Sequence, residues 1–456
     1  MLISRCLPLI ALLLSAQTLP VFASEGNFIQ AQPDPVFLQE VGEKVPTASP
    51  VKSLGIVDGQ VYAVMSPKLL RLQGDTLVPV ADAPAVVQRI WAVGGKLWVQ
   101  TKDTLHLKDS DGWKNLGAMQ VSDITLHLDQ VHIATNDAIY RFEDGTLVDI
   151  KPDTGFLSTD STLIMEDGSQ IISNPIRISP IKGIASYSGT LYILGDGRLS
   201  LLDGPVLFRD PIDWGAFATD TTRDILSQGS RLCITTNRGL AELRGMALTT
   251  LDGDDGLPYE DTTCLATGFQ GDLWIGTTTG AIRQVGDEFH YFGANLWLPG
   301  DTVHDIAVAD KSVYIATDKG LGIIHYEPYT LRKKADYFEK RMEQWGHIRL
   351  GFAHKIYWGG EEKGWLREIS DNDGGHTAHY LAAMCYKYAV TGDPKDRAKA
   401  VDAFEAMVWL DEITPKDGFI ARSIWSVEGD VGKLATQGSG GLPAKWYETD
   451  DGKWVW

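Results

Sequence analysis

Apolar and polar residues alternate along most of the first 325 positions, in short runs built to one plan. Seven segments carry the plan most clearly: VYAVMSPKLLRL from 61, LWVQTKDTLHL from 97, VHIATNDAIYRF from 131, LYILGDGRLSLL from 191, LCITTNRGLAEL from 232, LWIGTTTGAIRQ from 273 and VYIATDKGLGII from 313. Each holds a strand of period two, a turn of Gly, Asp, Asn, Thr or Ser, and a second strand. Another short strand precedes most of them, as in VSDITLHLDQ, TTRDILSQGS, DTTCLATGFQ and VHDIAVADK. Successive starts lie 36, 34, 60, 41, 41 and 40 residues apart. All but the third interval fit the forty or so residues of a four-stranded propeller blade. The long one contains GFLSTDSTLIMEDGSQIISNPIRISP, read as an insertion within the fourth blade. A lone sheet of this kind cannot cover both of its faces, so the sheets must stack radially until a ring closes. The expectation is a seven-bladed β-propeller over about 45–327, with a sandwich or solenoid as the structural alternative.

After residue 327 the period changes. LRKKADYFEKRMEQW spaces Leu331, Ala335, Phe338, Met342 and Trp345 by three and four, which predicts an amphipathic helix. SDNDGGHTAHYLAAMCYKYAV follows, where Asp371, Asn372, Asp373 and Gly374 read as turn and cap chemistry. The helix from about His376 to Val390 is apolar on nearly every side, which predicts burial all round. Next, Asp393 reads as an N-cap and Pro394 as the first helical position of a third helix. Its apolar stripe is read as Ala400, Val401, Phe404, Met407 and Val408. An all-buried helix beside an amphipathic one suggests the inner and outer members of an (α/α) toroid. A full toroid needs five to seven such pairs, and the 328–456 stretch is too short for them. That favours a truncated toroid, a piece of a longer protein, over an incomplete helical layer.

GDLWIGTTTGAIRQ and KSVYIATDKGLGII resemble the two-component regulator propeller repeat, with LDGDDGLPYEDTTCLA and YFGANLWLPGDTVHDIA matching its Leu-Pro and Asp placement. The likeness is specific over 250–325 and loose elsewhere, and it implies an extracytoplasmic sensor module or a partner of carbohydrate-active domains. ISDNDGGHTAHYLAAMCYKYAVTGDP and GFIARSIW resemble helical toroid domains of carbohydrate-active enzymes, a class that includes unsaturated glucuronyl hydrolases. This second resemblance implies that the loops entering the inner helices line a cleft and that carboxylates there transfer protons.

Compartment and charge narrow the partners. Arg5 followed by LPLIALLLSAQTLPVFA, with small residues at Ala23 and Ser24, reads as a secretory signal over 1–23. Residues 24–44 read as an N-terminal extension, and a periplasmic or secreted protein without stable membrane insertion is expected. A net charge of −19 argues against nucleic acid, whose binding depends on clustered Lys and Arg. Of four cysteines, Cys6 falls in the signal; Cys233, Cys264 and Cys385 read as buried thiols, with a Cys233–Cys264 bridge as the alternative.

Candidate chemistry is confined to a few side chains. Asp371 and Asp373 could form an acid–base pair, cap the helix, or bind calcium, although the loop lacks a full calcium ladder. His376 and His379 are one helical turn apart, without HExxH or a third ligand, so cleft-lining donors or satisfied histidines are favoured over a metal. Arg422 could clamp a carboxylate or serve a structural carboxylate. Trp425, Trp446, Tyr447, Trp454 and Trp456 suit sugar faces or a packed loop, whereas Trp91, Trp98, Trp113, Trp274 and Trp297 read as blade core. DGDDG from 252 and DSDGW from 109 read as hairpin turns. No cofactor or metal is expected. The reading is an exported glycoside hydrolase or polysaccharide lyase acting on an oligosaccharide or polysaccharide, catalytic in Asp371 and Asp373, with His376, His379, Arg422, Trp425 and Trp446 binding substrate. The alternative is a non-catalytic sensor propeller.

Overall fold

The computed structural model describes residues 33–110, 112–150, 162–164, 170–172, 180–203, 207–209, 219, 221–245, 247–367, 372–428 and 446–456. The signal sequence and Asp371 therefore lie outside the described residues. The chain divides into two compact units, one spanning Leu38–Pro328 and the other combining Met1–Phe37 with Tyr329–Trp456.

The first unit is a seven-bladed propeller. Seven four-stranded antiparallel sheets begin at Ser53, Arg89, Val121, Gly183, Thr222, Thr262 and Val303. Their first strands touch in sequence, and that of blade 7 touches that of blade 1, which closes the circle. Blades 1 to 6 are each made of consecutive strands. Blade 7 borrows its outer strand, Phe37–Pro46, from the N-terminal side of the chain. The sequence placed most of that strand in an extension, because its partner lies some 280 residues away and no local period announces it. The insertion read as lying within the fourth blade instead precedes that blade's first strand, Gly183–Tyr187, and carries a separate hairpin, Thr162–Ile164 with Gln170–Ile172.

Two recurrent devices explain the repeat. In the Thr-x-x-Gly turns, Thr236, Thr277 and Thr317 donate their hydroxyls to the carbonyls of Gly239, Gly280 and Gly320 at 2.9, 2.7 and 2.8 Å. Thr101 does the same toward Thr104 at 3.0 Å. The three glycines have φ of +86°, +93° and +142°, and a Cβ on them would lie 2.2–2.6 Å from the carbonyl oxygens of Leu251, Phe292 and Val45. Glycine is required there because the outer strand of the same blade crosses close against the turn. Val45 stands where Leu251 and Phe292 stand in blades 5 and 6, so the borrowed strand follows the repeat.

The second device is axial. Aligned first strands place Ser53, Arg89, Asp123, Gly183, Asp224, Cys264 and Asp305 at one position, which coincides with a bulge in blades 3, 5, 6 and 7. Asp123, Asp224 and Asp305 each accept their own next residue's N–H at 2.9 Å. Their second oxygens accept the N–H of Ile184, Leu265 and Leu54 in the following blade at 2.9, 2.7 and 2.7 Å. Ser53 accepts the N–H of Ile90 in blade 2 at 3.2 Å. A side chain at the axis thus pins each of these blades to its neighbour.

The cores lie between blades. Trp98 and Trp274 are fully buried and Trp91 nearly so. Trp297 packs edge-on to Phe292 at 5.1 Å. Cys233 and Cys264 are both free and buried, which excludes the alternative bridge, whereas Cys385, expected to be buried, is exposed; burial pushes the Cys233 thiol up to about 12. Asp109 pairs with Gly112 at the expected hairpin, whereas Asp252–Gly256 is a capped 3-10 turn linking blades 5 and 6. There Asp252 accepts the N–H of Asp254 at 2.9 Å, a local cap that turn-composition reasoning did not separate from a hairpin.

Two expectations follow. Gly280→Ala should destabilise the propeller by roughly 1–3 kcal/mol, the cost of forcing a side chain into a left-handed, crowded turn, as read by urea unfolding. Burial, and then the neighbouring Asp123 charge, pushes the Asp224 carboxyl up to about 7, against the two N–H groups and Arg89. Asp123 and Asp305 are raised by burial too, and Arg89 is the cation facing all three. A folded pKa above the unfolded value means the native state holds the extra proton, so stability is greatest at acid pH and falls from about 4 to about 7. Unfolding midpoints should drop over that window, and Asp224→Asn should flatten the drop while costing one inter-blade hydrogen bond.

Candidate functional site

The second unit contains three helices among its described residues: α1, Leu331–Gln344; α2, Asp373–Thr391; and α3, Pro394–Glu412. Short hairpins lie between α1 and α2, and Trp425–Ser426 pairs with Trp454–Val455. Thr330 caps α1 at the Lys333 N–H, and Asp34 accepts the N–H groups of Leu331 and Arg332 at 2.9 and 3.4 Å. Asp393 caps α3 and Pro394 opens it, as expected from the sequence. The buried stripe of α3 is Ala400, Ala403, Ala406 and Leu410, while Phe404 faces out. Small residues form the contact because α2 and α3 pack closely after a two-residue turn.

Burial of α2 on all sides is not observed. Its buried residues are Asp373, Thr377, Tyr380 and Met384, a single stripe, and His376, His379, Ala383 and Tyr386 are exposed. Nor does Asp373 cap the helix. The N-cap position is Asn372, in a left-handed conformation with no side-chain capping bond, and the Asp373 carboxylate turns inward instead.

That carboxylate is the hub of a buried network. Its exposure is 0 %, its Oδ1 lies 3.0 Å from His354 Nδ1, and its Oδ2 accepts the Ser423 hydroxyl at 2.5 Å. Ser423 in turn accepts the indole N–H of Trp425 at 2.6 Å. On the far side of the imidazole, Arg349 Nε donates to His354 Nε2 at 3.3 Å and its guanidinium stacks 4.0 Å from the Trp425 ring centre. Those contacts place the imidazole proton on Nδ1 and leave Nε2 as acceptor. Burial, opposed by Asp373, lowers the Arg349 pKa to about 10. Thr377 fixes the frame by donating to the Asp373 carbonyl at 2.6 Å and accepting the Ala353 N–H at 3.0 Å. Three residues of a catalytic triad are present, but the hydroxyl bonds the carboxylate rather than the histidine, so the serine has no base.

Beside this network an open groove of about 960 Å³ runs along α1 and α2. Leu331, Ala335, Phe338 and Met342, on the apolar face of the amphipathic helix that the spacing predicts, form one wall. His376, His379, Tyr380 and Met384 of α2 form the other, and His347, His354 and Ile356 close one side. His379 Nδ1 lies 2.8 Å from the Gly375 carbonyl, leaving Nε2 as its outward nitrogen. Glu339 receives Lys387 from α2 and, at 2.6 Å, Lys399 from α3, so a charged cluster ties the three helices together. Burial works to raise the Glu339 pKa, but the two ammonium groups outweigh it and hold the carboxylate low.

The structure brings His376 and His379 together at the groove. Asp373 lies beneath it, linked to the groove-lining His354. Arg422 is exposed and donates to Asn372 Oδ1 at 3.4 Å. Trp425 is buried, its ring between Arg349 and His354, and is not presented to a ligand. Trp446 is half-buried and is not among the residues that line the groove. His347, His354 and Arg349 were not foreseen, because the local sequence HIRLGFAHKIYW carries no spacing that distinguishes a site from a hairpin. Among the described residues no cluster of three or more His, Cys, Asp or Glu could hold a metal, and no helix is long and apolar enough to cross a membrane.

No family model matches the chain, and no curated protein matches it. Among solved structures it is similar to virginiamycin B lyase from Staphylococcus aureus, at 13% identity and a TM-score of 0.45 over 64% of this chain and 99% of that one. It is also similar to the extracellular domain of a putative hybrid two-component system from B. thetaiotaomicron, at 13% identity and a TM-score of 0.47 over 63% of this chain and 39% of that one. PorZ, a surface component of the type-IX secretion system of Porphyromonas gingivalis, aligns at 11% identity and a TM-score of 0.43, again over 63% and 39%. The chain spans about two-fifths of the length of the last two.

If the Asp373 network is what holds the second unit together, Asp373→Ala should destabilise that unit by roughly 2–3 kcal/mol, the cost of leaving the buried His354 and Ser423 donors without an acceptor. Ser423→Ala should cost about 1 kcal/mol, one hydrogen bond. Thermal unfolding of the full chain, followed by the Trp425 environment, separates the two.

Proposed function

We propose that this is an exported carbohydrate-binding protein whose ligand site is the groove between α1 and α2, with the propeller as a recognition scaffold. The observation that carries the reading is the groove itself. Its volume is within the range of ligand pockets, and apolar walls are combined with His376, His379 and Tyr380 along one edge. A sugar chain presents that mixture, with C–H faces for Phe338 and Met342 and hydroxyls for the imidazoles. The acidic surface, −19 overall, disfavours a polyanionic ligand and favours a neutral one. Export rests on the apolar leader over 1–23.

Binding is favoured over cleavage by the state of Asp373. A general acid or base must reach the atom it protonates, and this carboxylate is buried with both oxygens engaged. Its part in ligand binding is to hold the His354 ring at the groove wall. The hydrolase or lyase reading keeps one support: Asp371 stands two residues before Asp373 at the entry to α2, where a toroid enzyme would carry a carboxylate. On that reading α2 and α3 are the first pair of an (α/α) toroid, with Arg422 orienting substrate.

Isothermal titration of the full chain with neutral oligosaccharides should give binding that weakens at least tenfold in the His376→Ala/His379→Ala double variant. Unchanged affinity in that variant would remove the groove from consideration. Sugar release that disappears in Asp371→Asn, with folding intact, would replace binding by catalysis.

A further inference from the structure

An aromatic ladder continues one side of the groove. It begins on α1, where the Arg341 guanidinium lies 4.7 Å from the Tyr337 ring centre and 4.9 Å from that of Trp345. Trp345 stacks on Trp365 at 5.1 Å and 28°, and Trp365 meets Trp358 at 5.3 Å and 65°. Trp358 and Trp365 are directly opposite each other in the hairpin Ile356–Trp358 with Trp365–Arg367. Arg367 donates to the Gly346 carbonyl, which fastens this hairpin to the end of α1.

Strand alternation fixes where the indoles point. Ile356 and Trp358 are two residues apart, hence on one face of the hairpin, and their cross-strand partners Arg367 and Trp365 share it. Ile356 lines the groove. His347, which also lines it, has its ring 6.4 Å from Trp345. The indoles therefore extend the groove wall instead of facing an unrelated surface. Trp365 is 42% exposed and Trp358 54%, large values for residues this apolar. A cross-strand Trp pair does stabilise a three-residue hairpin. That role explains Trp365, held on both sides, better than it explains the outermost ring.

We propose that Trp358, presented by this ladder, is a sugar-stacking subsite that extends the groove for linear, neutral oligosaccharides; the inference rests on the carbohydrate reading of the groove. Trp358 rests edge-on against Trp365, and an indole held on one side loses less freedom on binding than a free one, which leaves its face available at reduced entropic cost. A pyranose ring offers a flat C–H face with a polar rim. The hairpin turn supplies Glu361, Glu362 and Lys363, all exposed, as groups suited to that rim. Two adjacent carboxylates disfavour insertion into an anionic bilayer, which sets the sugar ahead of a membrane as occupant. The consequence is a site that reads ligand length: short chains fill the groove, and longer ones gain the indole.

The test is titration of the full chain with cellobiose through cellohexaose and with maltose through maltohexaose. In the wild type, affinity should rise with length in one series. Trp358→Ala should weaken the hexasaccharide at least tenfold and leave the shortest binding ligand unchanged, while Trp358→Tyr retains most of the gain and Trp358→Leu does not. Equal length dependence in wild type and Trp358→Ala overturns the subsite while leaving the groove standing. Parallel effects of Tyr and Leu overturn stacking as its basis. Binding sensitive to Trp358 but not to His376 and His379 rejects the groove, and with it Trp358 as an extension of the groove. If neither series binds, or if Trp358→Ala instead abolishes binding to phosphatidylcholine–phosphatidylglycerol vesicles, the carbohydrate assignment fails for both.

Discussion

A ring of sheets holds only if its last member is paired, and here that pairing depends on one strand from the other end of the propeller. Phe37–Pro46 supplies the outer edge of blade 7, and without it the strand Gly320–Tyr329 would present an open edge. The strand is held by more than its ladder. Glu40 accepts Arg283 of blade 6 at 2.9 Å, and Arg283 is also bonded to Asp272 at 2.5 Å and Gln270 at 3.0 Å. Lys44 donates to the Ala294 carbonyl at 2.7 Å, and Gly42 lets the Trp297 ring lie against the backbone. Closure is therefore supported by a charged cluster as well as by sheet hydrogen bonds, and that cluster also couples blade 7 to blade 6.

The axis shows how a repeat can be regular in backbone and irregular in chemistry. Asp123, Asp224 and Asp305 perform one mechanical task, accepting an amide from the next blade. Ser53 performs it with a hydroxyl, and Arg89 reverses the polarity by donating to the Ser122 carbonyl at 2.8 Å. Three carboxylates around one guanidinium are costly to bury, which is why burial moves their pKa values upward. Gly183 and Cys264 carry no charge, and they separate the carboxylates of blades 3, 5 and 7. The mixture keeps neighbouring axial positions from carrying like charges.

The propeller was legible because its signal is local and repeated. Period-two strands, Thr-x-x-Gly turns and forty-residue spacing all arise within a blade. What was not legible came from distant partners: the strand Phe37–Pro46, and the axial role of VSDI, TRDI and VHDI, which read only as strand starts. In the second unit the caps at Thr330 and Asp393 obey local rules, and Asp393 was found. Asp373 was misread as a cap for the same reason. A carboxylate at the start of a helix has a local explanation, and the competing one, His354 and Ser423, lies 19 and 50 residues away. The histidine pair His376 and His379 was visible as a spacing, whereas the groove it faces depends on where α1 lies.

The error over α2 carries physical content. Its apolar composition predicted burial on every side, yet it buries one stripe and leaves His376, His379, Ala383 and Tyr386 exposed along the groove. Two apolar helix faces that close ordinarily collapse onto one another, since contact removes both from water. Here Glu339 sits between Lys387 and Lys399, and Lys387 also reaches Asp396 at 3.3 Å. Closing the faces further would require desolvating that cluster, whose charges are stable only while paired and partly hydrated. The ion pairs thus bridge α1 to α2 and α3, while the apolar walls keep exposed surface beside them. Surface retained in this way favours any ligand with an apolar face and a polar rim. Groove and cluster are therefore one construction, with Glu339 and Lys387 belonging to both.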